Sequence, residues 1–315
     1  MKYRSINDLT LLIDNKLHLF HQLKITAIVG IPRSGMLAGS ILALKLNLPL
    51  LSLDDWLNGE KGKHGKTRSL RNLDKEPHFL IIDDSINSGK SYLEALEKIK
   101  KHNMSNYSTC AIYSSIPNCN IVDHILEVLP LPRFFEWNMF HSRLVQKTMY
   151  DIDGVLCLDP TKKQQSSPAL YNEFLRNAIP NILYTGEAYG ITTSRLLTDK
   201  EQTETWLKRY GLKYKSINFS KYNTVDDRRN ANDHGIQKGI IYKNSSAELF
   251  VESEKKQAID IVKCSGKFVF CTENSFLYGP NNIGISGYSA RGRFTILKNF
   301  LKGYKVIVKL YQRFK

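Results

Sequence analysis

A chain of 315 residues, 42% hydrophobic and with ordinary glycine and proline content, is long enough for two domains that each bury a core, and it is neither disordered nor fibrous. Lysine and arginine outnumber aspartate and glutamate by 45 to 30, a net charge of +15 that calls for an acidic or phosphorylated partner. No apolar run approaches the roughly 20 residues of a membrane span, and the basic residues are not interleaved with a nucleic-acid motif, so no nucleic acid is expected. The five cysteines, at 110, 119, 157, 264 and 271, have no metal spacing; with no leader signal they read as reduced thiols in the cytoplasm. Apolar strands alternate with helical stretches in both halves, which predicts α/β architecture with mostly parallel sheets and active sites at the C-terminal ends of strands.

Residues 27–46, "AIVGIPRSGMLAGSILALKL", read as a strand, a tight turn from Gly30 to Gly35, and a small-residue helix. The next stretch, 53–72, is glycine-rich, basic and without apolar periodicity, so it reads as a loop carrying Lys61, Lys63, Lys66, Arg68 and Arg71, either a lid or a solvated segment. At 80–91, "LIIDDSINSGKS", an apolar strand runs into two aspartates and a small hydroxyl-rich turn, with a helix predicted over 92–101. The ending Gly89-Lys90-Ser91 imitates a nucleoside-triphosphate loop, but that pattern needs glycine where this chain has Asp84. The labour is therefore divided: Asp83 and Asp84 take hydroxyls or a magnesium ion, while Ser85, Asn87, Ser88, Gly89, Lys90 and Ser91 cradle one phosphate at a helix N-terminus. A 5-phosphorylated ribose with free 2- and 3-hydroxyls carries both features.

This segment resembles the PRPP loop of the type I phosphoribosyltransferases, although the family's turn is usually Thr-Gly-Gly-Thr and here it is Asn87-Ser88-Gly89-Lys90-Ser91. The resemblance implies that the earlier turn binds pyrophosphate through Arg33, Ser34 and Gly35, and that the basic loop closes over it. Asp54 or Asp55, at a strand exit, is a candidate to act on the acceptor.

"LPLPRFFEWNMFHS", residues 129–142, has prolines that interrupt periodicity and marks the expected domain boundary. Beyond it, "KTMYDIDGVLC", 147–157, opens a strand that ends in carboxylates at i and i+2. That spacing suits phosphoryl transfer through an aspartyl-phosphate, with Asp151 attacking phosphorus, Asp153 as general acid then base, and Mg²⁺ offsetting the charge. The motif resembles the first motif of the haloacid dehalogenase superfamily. Carried downstream in order, the resemblance implies Thr193 (or Ser194) on the phosphate, Lys238 (or Lys243) beside the nucleophile, and Glu252 (or Glu254) with Asp151 and Asp153 on the metal. Glutamate stands where aspartate is commoner. The interval from Gly154 to Thr193 is too short for a large cap.

After Glu273 there is no acidic residue. At 100° per residue the closing segment puts Lys298, Lys302, Lys305, Lys309 and Arg313 on one side and an apolar set on the other, which reads equally as a peripheral membrane helix or as one packed on its own domain. The expected layout is a phosphoribosyltransferase domain at 1–140, a phosphatase domain with little or no cap at 141–280, both Rossmann-like, and a basic tail at 281–315. The tandem arrangement resembles the fused proteins of bacterial polysaccharide synthesis. It implies transfer of 5-phosphoribosyl from PRPP to a glycan, free or lipid-linked, in the cytoplasm or peripherally at the inner face of the cytoplasmic membrane, followed by removal of the 5-phosphate. Nucleobase salvage fused to a nucleotide phosphatase is the alternative, and a PRPP-sensing module attached to a phosphatase a third.

Overall fold

The computed structural model describes residues 1–60 and 77–282, and the chain divides into two units, Met1–Trp137 and Asn138–Lys315. The five basic residues of the 61–71 loop and the basic tail from residue 283 lie outside the described residues. Among the described residues no helix is long and apolar enough to cross a membrane.

The first unit runs β1 (Lys2–Arg4), α1 (Ile6–Asn15), α2 (Leu17–Gln22), β2 (Ala27–Gly30), α3 (Ser34–Leu46), β3 (Leu50–Ser52), α4 (Leu53–Leu57), β4 (Phe79–Ile86), α5 (Lys90–Lys101), β5 (Tyr107–Ser114), β6 (His124–Val128) and β7 (Arg133–Phe135). Five of the strands form a parallel sheet in the order β3-β2-β4-β5-β6. Successive side chains of a strand point to opposite faces, so nearly continuous apolar runs supply two cores. Ile28, Leu80, Ile82 and Ile112 pack with Leu9, Ile13 and Leu42 of α1 and α3. Val29, Ile81 and Ala111 pack with Trp56 of α4 and with Tyr92 and Ile99 of α5.

The strand order reverses at β2, with β3 on one side and β4 on the other, which opens a crevice beyond their C-terminal ends. Pairing of β2 stops at Gly30 opposite Ile82, while β4 continues beside β5 to Ile86. Asp83 and Asp84 therefore lie inside β4, where it has outrun its neighbour, rather than past its end.

Two local expectations are corrected. Residues 53–57 are helical, not loop: the Ser52 hydroxyl and the Asp55 carboxylate form a capping box, and Leu53 and Trp56 are buried. Helix α5 starts at Lys90, two residues early, on Gly89 at φ +80°. The division between the units falls after Trp137, inside the stretch 129–142, whose first part is ordered as β7: it pairs with β1, and Phe134 and Phe135 are buried.

The second unit runs β8 (Thr148–Tyr150), α6 (Pro168–Asn177), β9 (Glu187–Ala188), β10 (Gly190–Thr192), α7 (Lys200–Arg209), β11 (Lys213–Tyr214), β12 (Ile217–Asn218), α8 (Val225–Ala231), α9 (His234–Lys243), β13 (Leu249–Glu252), α10 (Lys255–Ser265), β14 (Phe268–Cys271) and β15 (Phe276–Tyr278). Its sheet has the order β12-β10-β8-β13-β14-β15, parallel except for β15. After β8 the chain builds outward through β10 and β12, then returns to lay β13 on the other side. That reversal puts the ends of β8, β10 and β13 around one crevice. Met149, Phe250 and Val269 meet Tyr242 of α9 and Ala258 and Ile261 of α10 in the core. Both units are thus α/β with mostly parallel sheets.

Candidate active sites

In the first unit the two carboxylates are 7% and 3% exposed, Asp83 and Asp84 respectively. Asp84 accepts from the Ser34 hydroxyl at 2.8 Å and from the Trp137 indole N–H at 2.7 Å. Asp83 accepts the Asp84 backbone N–H at 2.8 Å. The turn at 30–35 presses on the acids, because a methyl group at Gly35 would lie 2.6 Å from the Ile82 carbonyl and 3.0 Å from the Asp83 carboxylate. Only glycine permits that approach. Burial, reinforced by the Asp84 charge, pushes the Asp83 carboxyl up to about 8.

Arg33 is exposed at the rim of this turn, beside a cis Pro32–Arg33 peptide bond. On the other side of the crevice, Asn87, Ser88, Lys90 and Ser91 are exposed and Ser85 is half-buried. Helix α5 has no N-cap side chain, and its Lys90 N–H reaches only the Ser88 hydroxyl, at 3.5 Å, which leaves the other first-turn amides to an anion. Asp54 and Asp55 do not join the acids: Asp55 is spent on the capping box and Asp54 pairs with Lys98 at 3.4 Å.

In the second unit, Asp151, Lys238 and Glu252 form one buried constellation. The Lys238 ammonium donates to Asp151 Oδ2 at 2.6 Å, to Glu252 Oε2 at 2.8 Å and to Gln257 Oε1 at 2.9 Å. Lys243 is exposed at the C-terminal end of α9, and Glu254 hydrogen-bonds Gln257 instead. Burial and the Glu252 charge outweigh Lys238 and raise the Asp151 carboxyl. Thr193 is 3% exposed; its backbone N–H donates to the Asn218 carbonyl at 2.9 Å, and its hydroxyl accepts the Arg195 N–H at 3.2 Å. Ser194 lines the cavity in front of Asp151, which measures about 970 Å³.

Gly154 is held at φ +77°, a region glycine enters without penalty, and a methyl there would lie 2.4 Å from the Ser253 hydroxyl. The turn after Asp153 therefore closes directly onto the residue that follows Glu252. Cys157 is fully buried and packs against this turn.

Asp151 and Glu252 offer hard carboxylate oxygens from the ends of neighbouring strands, a pair suited to Mg²⁺ when substrate phosphate completes its shell. The Asp153 carboxylate does not join them. It is gripped by Arg195, with Nη2 at 2.6 Å from Oδ1 and Nε at 3.2 Å from Oδ2. Among the described residues no three His, Cys, Asp or Glu side chains stand together as a metal-holding group.

Residues 4–132 match the phosphoribosyl transferase domain family. The chain contains a phosphoribosyltransferase domain. Among solved structures, the purine phosphoribosyltransferase of Pyrococcus horikoshii Ot3 is 19% identical over 43% of this chain and 92% of its own, at a TM-score of 0.33. The Helicobacter pylori xanthine-guanine-hypoxanthine phosphoribosyltransferase is 17% identical over the same shares, 43% and 92%, at 0.33. The orotate phosphoribosyltransferase of Aeropyrum pernix is 16% identical over 39% of this chain and 72% of its own, at 0.29. No curated protein matches the chain.

Two site residues carry no local sequence signal. Trp137, which closes on Asp84 in the first unit, sits in the proline-flanked stretch read as a boundary. It is held by ring stacking on Phe135, centroids 4.8 Å apart. Arg195 is fully buried and also donates to the Thr203 hydroxyl at 3.2 Å. Burial pushes Asp153 up, yet the Arg195 guanidinium outweighs it and holds the carboxyl below its ordinary value.

Removing Arg195 would leave Asp153 largely buried and unpaired. Arg195→Met is expected to cost roughly 3 kcal/mol at neutral pH, read by urea unfolding. A depressed carboxyl contributes stability above its unfolded value and loses it as pH falls through the folded one. The difference between wild type and variant should therefore shrink in acid; a difference independent of pH would show that the pair contributes no net charge stabilisation.

Proposed function

We propose that the chain transfers 5-phosphoribosyl from PRPP to a glycan and then removes the 5-phosphate, leaving a ribofuranosyl residue in a bacterial surface polysaccharide. The observation that carries this reading is the Asp151–Lys238–Glu252 constellation on the same chain as a phosphoribosyltransferase domain. A phosphoribosyl product retains a phosphomonoester, and that constellation is what its hydrolysis through an aspartyl-phosphate requires, as in the haloacid dehalogenase superfamily.

In the first step the bond from ribose C1 to pyrophosphate breaks with its electron pair on the leaving oxygen. Asp83 and Asp84 hold the ribose hydroxyls, the amides before α5 hold the 5-phosphate, and Arg33 neutralises the departing pyrophosphate. An acceptor hydroxyl oxygen bonds to C1, and its proton passes to the departing pyrophosphate.

In the second step Asp151 attacks phosphorus, the sugar oxygen leaves, and Asp153 supplies its proton. Water then attacks the phospho-aspartate while Asp153 takes the proton back. Lys238 steadies the charge on Asp151, and Thr193 with the Ser194 segment holds phosphate oxygens. Ionised Asp153, paired with Arg195, is prepared for the base step; to act as the acid it must loosen from Arg195 and gain a proton. Mg²⁺, when bound by Asp151 and Glu252, supplies positive charge against the converging oxygens.

A second reading, phosphoribosyl transfer to a nucleobase, is favoured by the Trp137 indole beside Asp84, a flat surface on which a base could stack. The test is pyrophosphate release from PRPP and Mg²⁺ in the presence of either free bases or glycan acceptors. Release driven by a glycan alone, followed by inorganic phosphate, is the expected result. Release driven by a base would sink the polysaccharide reading.

A further inference from the structure

Strand β2 ends opposite Ile82, so from Asp83 onward β4 is paired only with β5, and the turn at 87–91 has no sheet neighbour on the open side of the crevice. Contacts from later in the chain hold it in place. The Ile86 carbonyl, the last of β4, accepts the Ser115 backbone N–H at 3.0 Å and Arg133 Nη2 at 2.7 Å. The Ser115 hydroxyl donates to Asn87 Oδ1 at 3.0 Å. Ile121 closes on Gly89 so tightly that a methyl there would lie 2.2 Å from its Cδ1.

Arg133 does more than fill one acceptor. Its Nη1 also donates to the Leu129 carbonyl, just past β6, at 2.9 Å, and its guanidinium lies over the Phe135 ring, 5.4 Å from the centroid. The planar fork of arginine reaches two carbonyls at a fixed angle, which the ammonium of lysine cannot do. The side chain is half-buried; burial lowers its pKa while the Asp84 charge pulls the other way. Burying a cation is costly, and neutral donors would satisfy two carbonyls. This cation feels the Asp84 charge while its hydrogen bond grips the entry to the turn.

We propose that Arg133 is a positioning residue of the phosphoribosyl site: it sets the spacing between the Asp83–Asp84 pair and the turn at 87–91, and so the fit of a ribose that places its hydroxyls at one and its 5-phosphate at the other. The inference rests on the reading of that turn as the 5-phosphate cradle and goes beyond it by naming a residue that touches no substrate. Misplacement by a fraction of an ångström is enough to lose oriented binding. The turn at 30–35 leans on Ile82 and Asp83 instead, so pyrophosphate binding there is independent of Arg133.

The test follows release of radiolabelled pyrophosphate from PRPP by the full chain, with Mg²⁺ and an acceptor that supports release, and reads kcat, KM for PRPP and inhibition by unlabelled pyrophosphate. Arg133→Met is expected to raise KM for PRPP by about tenfold or more, the scale of a lost charge-assisted hydrogen bond, with kcat changed by less than about threefold. The inhibition constant of pyrophosphate should stay within about twofold of wild type, because uniform binding is lost at the 5-phosphate end alone. If Arg133→Met does not fold, Arg133→Lys decides: it keeps one carbonyl bond and should raise KM alone, by about threefold. An unchanged KM in the folded variant, or KM and the pyrophosphate constant rising together, would overturn the positioning role. No release from PRPP by wild type with any acceptor would overturn the phosphoribosyl reading itself.

Discussion

Asp151→Asn is expected to lose phosphate release by about 10⁴-fold or more, the scale seen when a covalent nucleophile is removed, while pyrophosphate release from PRPP stays at the wild-type rate. The fold should survive the change. Lys238 loses one charged partner but keeps Glu252 at 2.8 Å and Gln257 at 2.9 Å, so no buried ammonium is left alone. Asparagine also retains the oxygen that accepts the Ile152 N–H at 2.8 Å. Mass spectrometry of the reaction mixture should find the phosphorylated glycan accumulating. If the variant, still folded by circular dichroism, loses both activities together, the division of labour between the two units is wrong.

Asp83→Asn should show the opposite selectivity, with transfer reduced by about 10²–10³-fold, the scale of losing one oriented group at a charged transition state, and hydrolysis of a simple phosphomonoester unchanged. It carries a second, pH-dependent signature. Burial raises Asp83 from 3.8 to about 8, so the folded protein favours the protonated acid. Stability from such a group is fully present below the unfolded value near 4 and is lost as pH rises through the folded one near 8. The neutral variant escapes that loss. It should therefore melt above wild type at pH 8.5, by the equivalent of a few kcal/mol, and match it near pH 4. Ribose hydroxyls donate to the ionised form, so wild-type PRPP affinity should also rise with pH up to about 8. A variant that melts with wild type at every pH would show that Asp83 is not buried as a charge.

Local chemistry made much of this legible. The apolar runs of β2 and β4 announce buried parallel strands, because a strand covered on both faces has no polar side to show. The Asp-Asp and Asp-x-Asp-Gly patterns announce two sites because carboxylates so close in sequence need an external cation or donor. Less legible were boundaries decided by burial. Asp54 and Asp55 looked available for chemistry until Trp56, buried beneath them, made their segment a capped helix. The prolines near residue 130 marked the boundary, but not that the chain just before it, with Phe135, belongs to the core of the first unit.

What the sequence determined by itself was the strands that lead into the motifs, β2, β4 and β8, the turns after them and the acids those segments carry, since each signal spans only a few residues. Which partners those acids meet was decided by strand order. Laying β13 beside β8 brought Lys238 onto Asp151 across 87 residues and selected Glu252 over Glu254. The turn after β10 brought Arg195 onto Asp153 across 42 residues. In the first unit, β4 outrunning β2 put Asp84 within reach of Ser34 and Trp137. These contacts join residues dozens of positions apart, and only a closed sheet with buried faces fixes the distances between them.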